Sequence, residues 1–187
     1  TTTLTKDVTV AGVPAPFARD TFARTVADAW GNAETGGAWT RTGSATNFSV
    51  SSGTGKIRMG TPGAGPGIAL NSVSSTSTDL SVTVSADKAA TGGGTYLGFH
   101  PRRVANGDHY FADVRLIAGG TVSLNIGRTV AGAETSLASG TISGLTVAAG
   151  EALQVRVAAS GTSPTTLRAK VWKAGTAEPT AWRLSTT

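Results

Sequence analysis

The residues with chemistry to offer gather between positions 100 and 115. His100 and His109 flank Pro101 and the Asn106-Gly107 pair, and Asp108 stands beside the second histidine, so two imidazoles and a carboxylate could meet at the end of one hairpin. That donor set suits Zn²⁺ or Ni²⁺. Two histidines at a hairpin mouth are ordinarily polar surface, however, and no metal or other cofactor is expected. A Ser-His-Asp relay would have to use the same histidines, yet no Gly-x-Ser-x-Gly elbow accompanies them. Glycoside hydrolysis needs two carboxyl groups facing each other across a sugar, whereas the 11 acidic residues are dispersed, mostly at turns. With no cysteine, thiol catalysis, Cys-based zinc sites and disulfides are all excluded. The chain reads as a non-enzyme.

Binding asks for less: an aromatic platform, a few planar donors and acceptors, and a surface to hold them. His100, His109, Asp113, Arg115, Gln154, Arg156, Arg168, Lys170 and Trp172 fall on the mixed faces of alternating segments, with Arg102 and Arg103 in the adjoining loop. Arginine's fork suits carboxylated or phosphorylated surface glycans. The expected ligand contacts are His100, Arg102, Arg103, His109, Asp113, Arg115, Arg156, Arg168 and Trp172. The plainer reading is a wet sheet face covered by long side chains.

These side chains need strands to hold them. Leu97 and Phe99 alternate with Gly98 and His100, while Tyr110, Ala112, Val114 and Leu116 alternate with Phe111, Asp113 and Arg115, the period-2 signature of half-buried strands. Their connection lies within residues 101 to 108. If all eight form the loop, His100 opposes His109; a tighter turn at Asn106-Gly107 changes the partners but leaves both histidines on the mixed face. Val122, Leu124 and Ile126 continue the pattern, and a three-residue loop, Gly119-Gly120-Thr121, pairs Leu116 with Leu124 and Val114 with Ile126. Further strands are expected around Asp20–Arg24, Asn47–Val50, Lys56–Met59, Ile68–Leu70, Leu80–Val84, Leu153–Val157 and Leu167–Trp172, with another starting at Trp182–Leu184. Trp30 and Trp39 frame a Gly-rich turn and are expected to pack there, the sharper alternative being a sugar-stacking platform.

Short strands joined by small-residue turns, with 25 glycines in 187 residues and no convincing helical stripe, predict an all-β fold, an antiparallel two-sheet β-sandwich. Residues 1–19 are expected to form an N-terminal strand or arm and connector, with Thr1–Val10 alternating before Pro14 and Pro16, and residues 20–187 the sandwich domain. No apolar run approaches the ~20 residues that span a bilayer, so no membrane insertion is expected. The net charge of +5 is spread singly rather than in blocks, which implies mild attraction to polyanions and no nucleic-acid partner.

Taken in order, Asp20-Thr-Phe-Ala-Arg24, Trp30-Gly31, Thr35-Gly-Gly-Ala-Trp39, the Leu80–Val84 strand, the central hairpin, and Leu167-Arg-Ala-Lys-Val-Trp172 followed by Glu178-Pro-Thr-Ala-Trp182 resemble concanavalin A-like, or laminin G-like, jelly-roll domains. They are similar in particular to the versions carried by minor tail proteins of phages of high-GC bacteria and by secreted proteins of such bacteria. The resemblance implies an attachment role: a virion tail component contacting cell-surface or cell-wall polysaccharide, with other tail subunits or its own copies as partners. Its alternatives are an accessory carbohydrate-binding module of a secreted, extracellular hydrolase and a purely structural virion decoration domain. The Glu-x-Asp-x-x-Glu run of glycosidases on this fold has no match here. Nor does the family's closing turn and strand after the segment similar to Ala181-Trp-Arg-Leu184; Thr1–Val10, a neighbouring subunit or further sequence would supply it. The Ca²⁺ that some such domains hold through loop carboxylates would fall to Asp20, Asp87 or Asp108, but no Asp-rich loop accompanies them.

Overall fold

Apolar and polar residues alternate through most of the chain, and a computed structural model, which describes residues 15–187, turns that alternation into antiparallel strands. In chain order these are β1 (Val26–Ala27), β2 (Thr40–Thr42), β3 (Phe48–Ser51), β4 (Thr54–Ile57), β5 (Gly67–Ala69), β6 (Thr78–Ser85), β7 (Thr95–Arg103), β8 (His109–Leu116), β9 (Thr121–Val130), β10 (Ala133–Thr146), β11 (Ala152–Ser160), β12 (Thr166–Lys173) and β13 (Leu184–Thr186). They fall into two compact units that divide between Ser74 and Ser75. The arm expected over Thr1–Val10 lies outside the described residues. Among those residues no helix is long and apolar enough to cross a membrane.

The first unit holds a sheet ordered β1-β3-β4 and a ribbon of β2 and β5. Among the described residues, Phe48 and Val50, on one parity of β3, are its almost wholly buried apolar side chains. Asp20–Arg24, expected as a strand, is instead wound around a carboxylate. Asp20 accepts from the Phe22 N–H at 2.8 Å, from both terminal nitrogens of Arg24 at 2.8 Å, and from the Trp39 indole at 2.7 Å. Phe22 takes φ 56°, which no strand allows. Burial alone would raise the Asp20 carboxyl, but these hydrogen bonds outweigh it and hold the group below its ordinary value. Trp30 and Trp39 meet edge to face at 5.2 Å, with Phe22 against Trp30 at 5.0 Å, and the Trp30 indole donates to the Lys56 carbonyl at 2.9 Å. The aromatic pair is packing, as the turn-framing reading expects.

The second unit is a β-sandwich, with one sheet ordered β10-β9-β8-β7 and the other β13-β12-β11-β6. Val114, Val122, Leu124 and Ile126 from the first sheet and Leu153, Val155, Val157 and Leu167 from the second are almost wholly buried between them. At about 1.5–3 kcal/mol per buried aliphatic side chain, this layer dominates the unit's stability. The β8–β9 loop has the expected three residues but lies one position earlier, Ala118-Gly119-Gly120. Leu116 therefore pairs with Val122 and Val114 with Leu124, which keeps the faces and shifts the partners. Both glycines are left-handed, at φ 84° and 85°, and a Cβ on Gly120 would stand 2.7 Å from the Val147 carbonyl oxygen.

Two features of this unit differ from expectation. β7 runs on to Arg103, with a bulge after Phe99, so Phe99 pairs with Ala112, Arg102 with Tyr110 and Arg103 with His109. Arg102 and Arg103 thus belong to a strand rather than a loop. The 14-residue β10 pairs with β9 through a two-residue turn at Ala131-Gly132, φ 50° and 79°, that suits strand twist. Its Ser, Gly, Ala and Thr residues give almost no hydrophobic alternation by which to read it.

Candidate functional site

Because one core separates the two sheets, their outward parities point in opposite directions. The nine sequence candidates therefore do not share a surface. His100, His109, Asp113 and Arg115 lie on the outer face of the β7–β10 sheet, and Arg156, Arg168 and Trp172 on the outer face of the sheet built from β6, β11, β12 and β13. Arg103 is exposed beside His109. Arg102 is turned inward by the bulge: its guanidinium donates to the Thr165 hydroxyl at 3.0 Å and to the carbonyls of Gly161 (2.9 Å) and Thr76, and it lies 5.8 Å from the Tyr110 ring centre. It ties the β7 end to the loops of the opposite sheet.

On the second outer face the chain covers itself. Arg156 forks onto Asp79 at 2.8 and 2.7 Å and reaches Glu178 at 2.6 Å, in the segment after β12. Lys170, only 5% exposed, donates to the Pro179 carbonyl at 2.5 Å and pairs with Glu178 at 2.8 Å. Trp182 closes over both cations, 4.9 Å from the Lys170 ammonium and 5.6 Å from the Arg156 guanidinium. Hydrogen bonds from Lys170 and Arg156 hold the Glu178 carboxyl below its ordinary value, and those to Asp79 and Glu178 raise the Arg156 guanidinium. Trp172 is half-buried, its ring 5.9 Å from Lys170, while Arg168 remains exposed between Ala158 and Ser185.

The first outer face is different in kind. Two adjacent rows cross it: Tyr96, Arg115 and Ser123, then Gly98, Asp113 and Asn125. Strand spacing of about 4.8 Å and a two-residue step of roughly 7 Å place both rows within reach of one small ring. Tyr96 is 56% exposed, and the Arg115 guanidinium, fixed by a 2.9 Å hydrogen bond to the Gly93 carbonyl, lies 5.1 Å from its ring centre. Gly98 lets the Asp113 carboxylate lie close over the strand, since a Cβ there would stand 3.1 Å from Asp113 Oδ1 and 3.6 Å from His100 Nε2. Burial and then repulsion from Glu134 push the Asp113 carboxyl up to about 6, with His109 opposing. Ser136 donates to Asn125 Oδ1 at 2.6 Å, which leaves the Asn125 Nδ2 hydrogens for a ligand.

The histidines adjoin this patch. Their rings stack at 4.1 Å. The Gly107 carbonyl can only accept, so His109 Nδ1 donates to it at 2.8 Å and Nε2 faces the Thr129 hydroxyl at 3.2 Å. Although one side of its ring is exposed, the dense packing around His100, then repulsion between its charged form and His109 and Arg103, pushes it down to about 4 and keeps it neutral at pH 7. Asp108 turns away from both rings to the Ala131 N–H at 2.8 Å and the Asn106 amide at 3.0 Å. Among the described residues, no three imidazoles and carboxylates converge as metal ligands would. Phe111 sits on this same outward parity yet is 3% exposed, because Gly127 lets its ring lie flat on β9; a Cβ at 127 would collide with it.

Tyr96, Gly98 and Asn125 were not among the sequence candidates. Their signal was present: each lies on the parity opposite a core residue, Leu97 for Tyr96 and Gly98, and Leu124 and Ile126 for Asn125. No family model matches the chain, and neither a curated protein nor a solved structure shows significant similarity to it.

Proposed function

We propose that this chain is a non-catalytic attachment domain that binds cell-surface or cell-wall glycan through the outer face of the β7–β10 sheet. The observation that carries this reading is an exposed aromatic ring, Tyr96, one row from a half-buried carboxylate, Asp113, that has no hydrogen-bond or ion-pair partner among the described residues. Tyr96 offers its ring to the C–H face of a sugar, Asp113 accepts from hydroxyls, and Asn125 donates. A jelly roll of the concanavalin A-like kind in a phage tail, as the sequence resemblance implies, is the setting in which such a surface would serve host attachment.

The experiment is a pull-down of the purified chain on insoluble polysaccharides and isolated bacterial cell walls across a salt series. Saturable binding that survives moderate salt and drops at least ~10-fold in Tyr96→Ala supports the reading, that drop being the scale of one aromatic platform. Binding that vanishes with salt reduces to the +5 charge, and release of reducing sugar would overturn the non-catalytic part.

A further inference from the structure

The tip of the β7–β8 hairpin carries a second arrangement on the other side of the sheet. Arg102, Tyr110 and Arg128 stand in one cross-strand row on β7, β8 and β9, on the parity that further along holds the core residues Ala112 and Ile126. Here Arg128 reaches solvent, and a depression of about 160 Å³ opens, lined by these three residues with Val104, Val130 and Asp108. At ~30 Å³ per water that is room for roughly five waters, or one small ring.

The charges around this depression are unbalanced. Arg102 spends its terminal hydrogens on two carbonyls and a hydroxyl, all neutral, and its Nε is buried with no partner. Arg128 has neither an ion pair nor a side-chain hydrogen bond among the described residues. The one lining carboxylate, Asp108, is engaged by Ala131 and Asn106. Two guanidinium groups thus flank a tyrosine ring without a free counter-charge, between exposed Val104 and Val130. The geometry points to an oxyanion site: we propose that this cleft takes a carboxylate or phosphate borne on a small ring, such as an acidic sugar or a sugar phosphate. Arg128 supplies the fork, Tyr110 and the valines contact the ring, and the charge of Arg102 reinforces both. The ring rests on the glycan reading above; the oxyanion does not.

The test is calorimetric titration of the whole chain, at physiological salt, with methyl glucuronide, glucose 1-phosphate and methyl glucoside. Saturable binding of either anion, with none of the neutral glycoside, supports the site, and whichever anion binds identifies the source of the charge. Arg128→Ala should weaken that binding on the order of tenfold, the loss of one hydrogen bond to a charged group, with Arg128→Lys recovering part of it. Arg103→Ala removes the same charge from a neighbouring exposed position and should leave the affinity within about twofold. No saturable binding of either anion, or equal losses in Arg128→Ala and Arg103→Ala, overturns the proposal. Tyr96→Ala serves as the separating control: polysaccharide binding that depends on Tyr96, with no anion binding, overturns the cleft alone and leaves the outer-face reading standing.

Discussion

The two outer faces of the sandwich carry similar residues, yet they put them to opposite uses. On the face of β6, β11, β12 and β13, every buried or half-buried cation has a named acceptor and Trp182 lies over both; the segment carrying Glu178, Pro179 and Trp182 is the ligand. On the face of β7–β10 the Tyr96 ring is more than half exposed with Arg115 on one side only, and the half-buried Asp113 carboxyl, pushed up to about 6, has no hydrogen-bond or ion-pair partner among the described residues. Satisfied groups stabilise a fold, whereas unsatisfied ones cost stability and persist where something else selects them. Under the proposed function, one face accordingly serves the fold's own stability and the other a partner.

The largest effect separating them should come from Trp182→Ala, which removes a ring over two cations and uncovers Lys170; we expect a loss of about 2–3 kcal/mol in denaturant unfolding, with glycan retention unchanged. An unchanged stability would show that the segment does not hold the face closed. Next, Asp113→Asn should raise stability at pH 7 by on the order of 1 kcal/mol, after screening at its open edge. Its folded value near 6 lies above the ordinary 3.8, so the folded state holds that proton more tightly and loses stability as pH rises through 6. The gain from Asn should therefore fade below pH 4, and a gain independent of pH would point to packing instead. The smallest effect concerns His100. Its folded value near 4 lies below the ordinary 6.5, so the stability it contributes is present above pH 6.5 and lost as pH falls towards 4. The acid loss over that window, followed by thermal melts, should be shallower in His100→Asn; an identical slope would mean that the ring stays solvated.

Much of the fold was legible because alternation is a local signal. Leu80–Val84, Leu97–Phe99, Tyr110–Leu116 and Leu153–Val157 each carry their own parity, and parity fixes the face whatever the partner. Register was not, since Leu116 pairing with Val122 rather than Leu124 depends on where two glycines turn left-handed, and both alternatives bury the same residues. β10 was silent because its Ser, Gly and Ala side chains say little about faces. Nor does Asp20–Arg24 read as a carboxylate-centred turn until Trp39 is brought to Asp20 from 19 residues away. The site was half legible for a related reason. A strand reveals which residues face outward, but not that two outward faces belong to different sheets, nor that a later segment folds back over one of them.

The most direct measurement of that contrast is an NMR titration of the ¹⁵N-labelled chain with a soluble fragment of a polysaccharide that it retains. Binding on the open face predicts saturable shifts at the amides of Tyr96, Gly98, Asp113 and the Asn125 side chain, with the Trp172 and Trp182 indole signals unmoved. Saturable shifts at Trp172 and Trp182 with a still Tyr96 would contradict the account, placing the ligand under the segment that is held here to close that face.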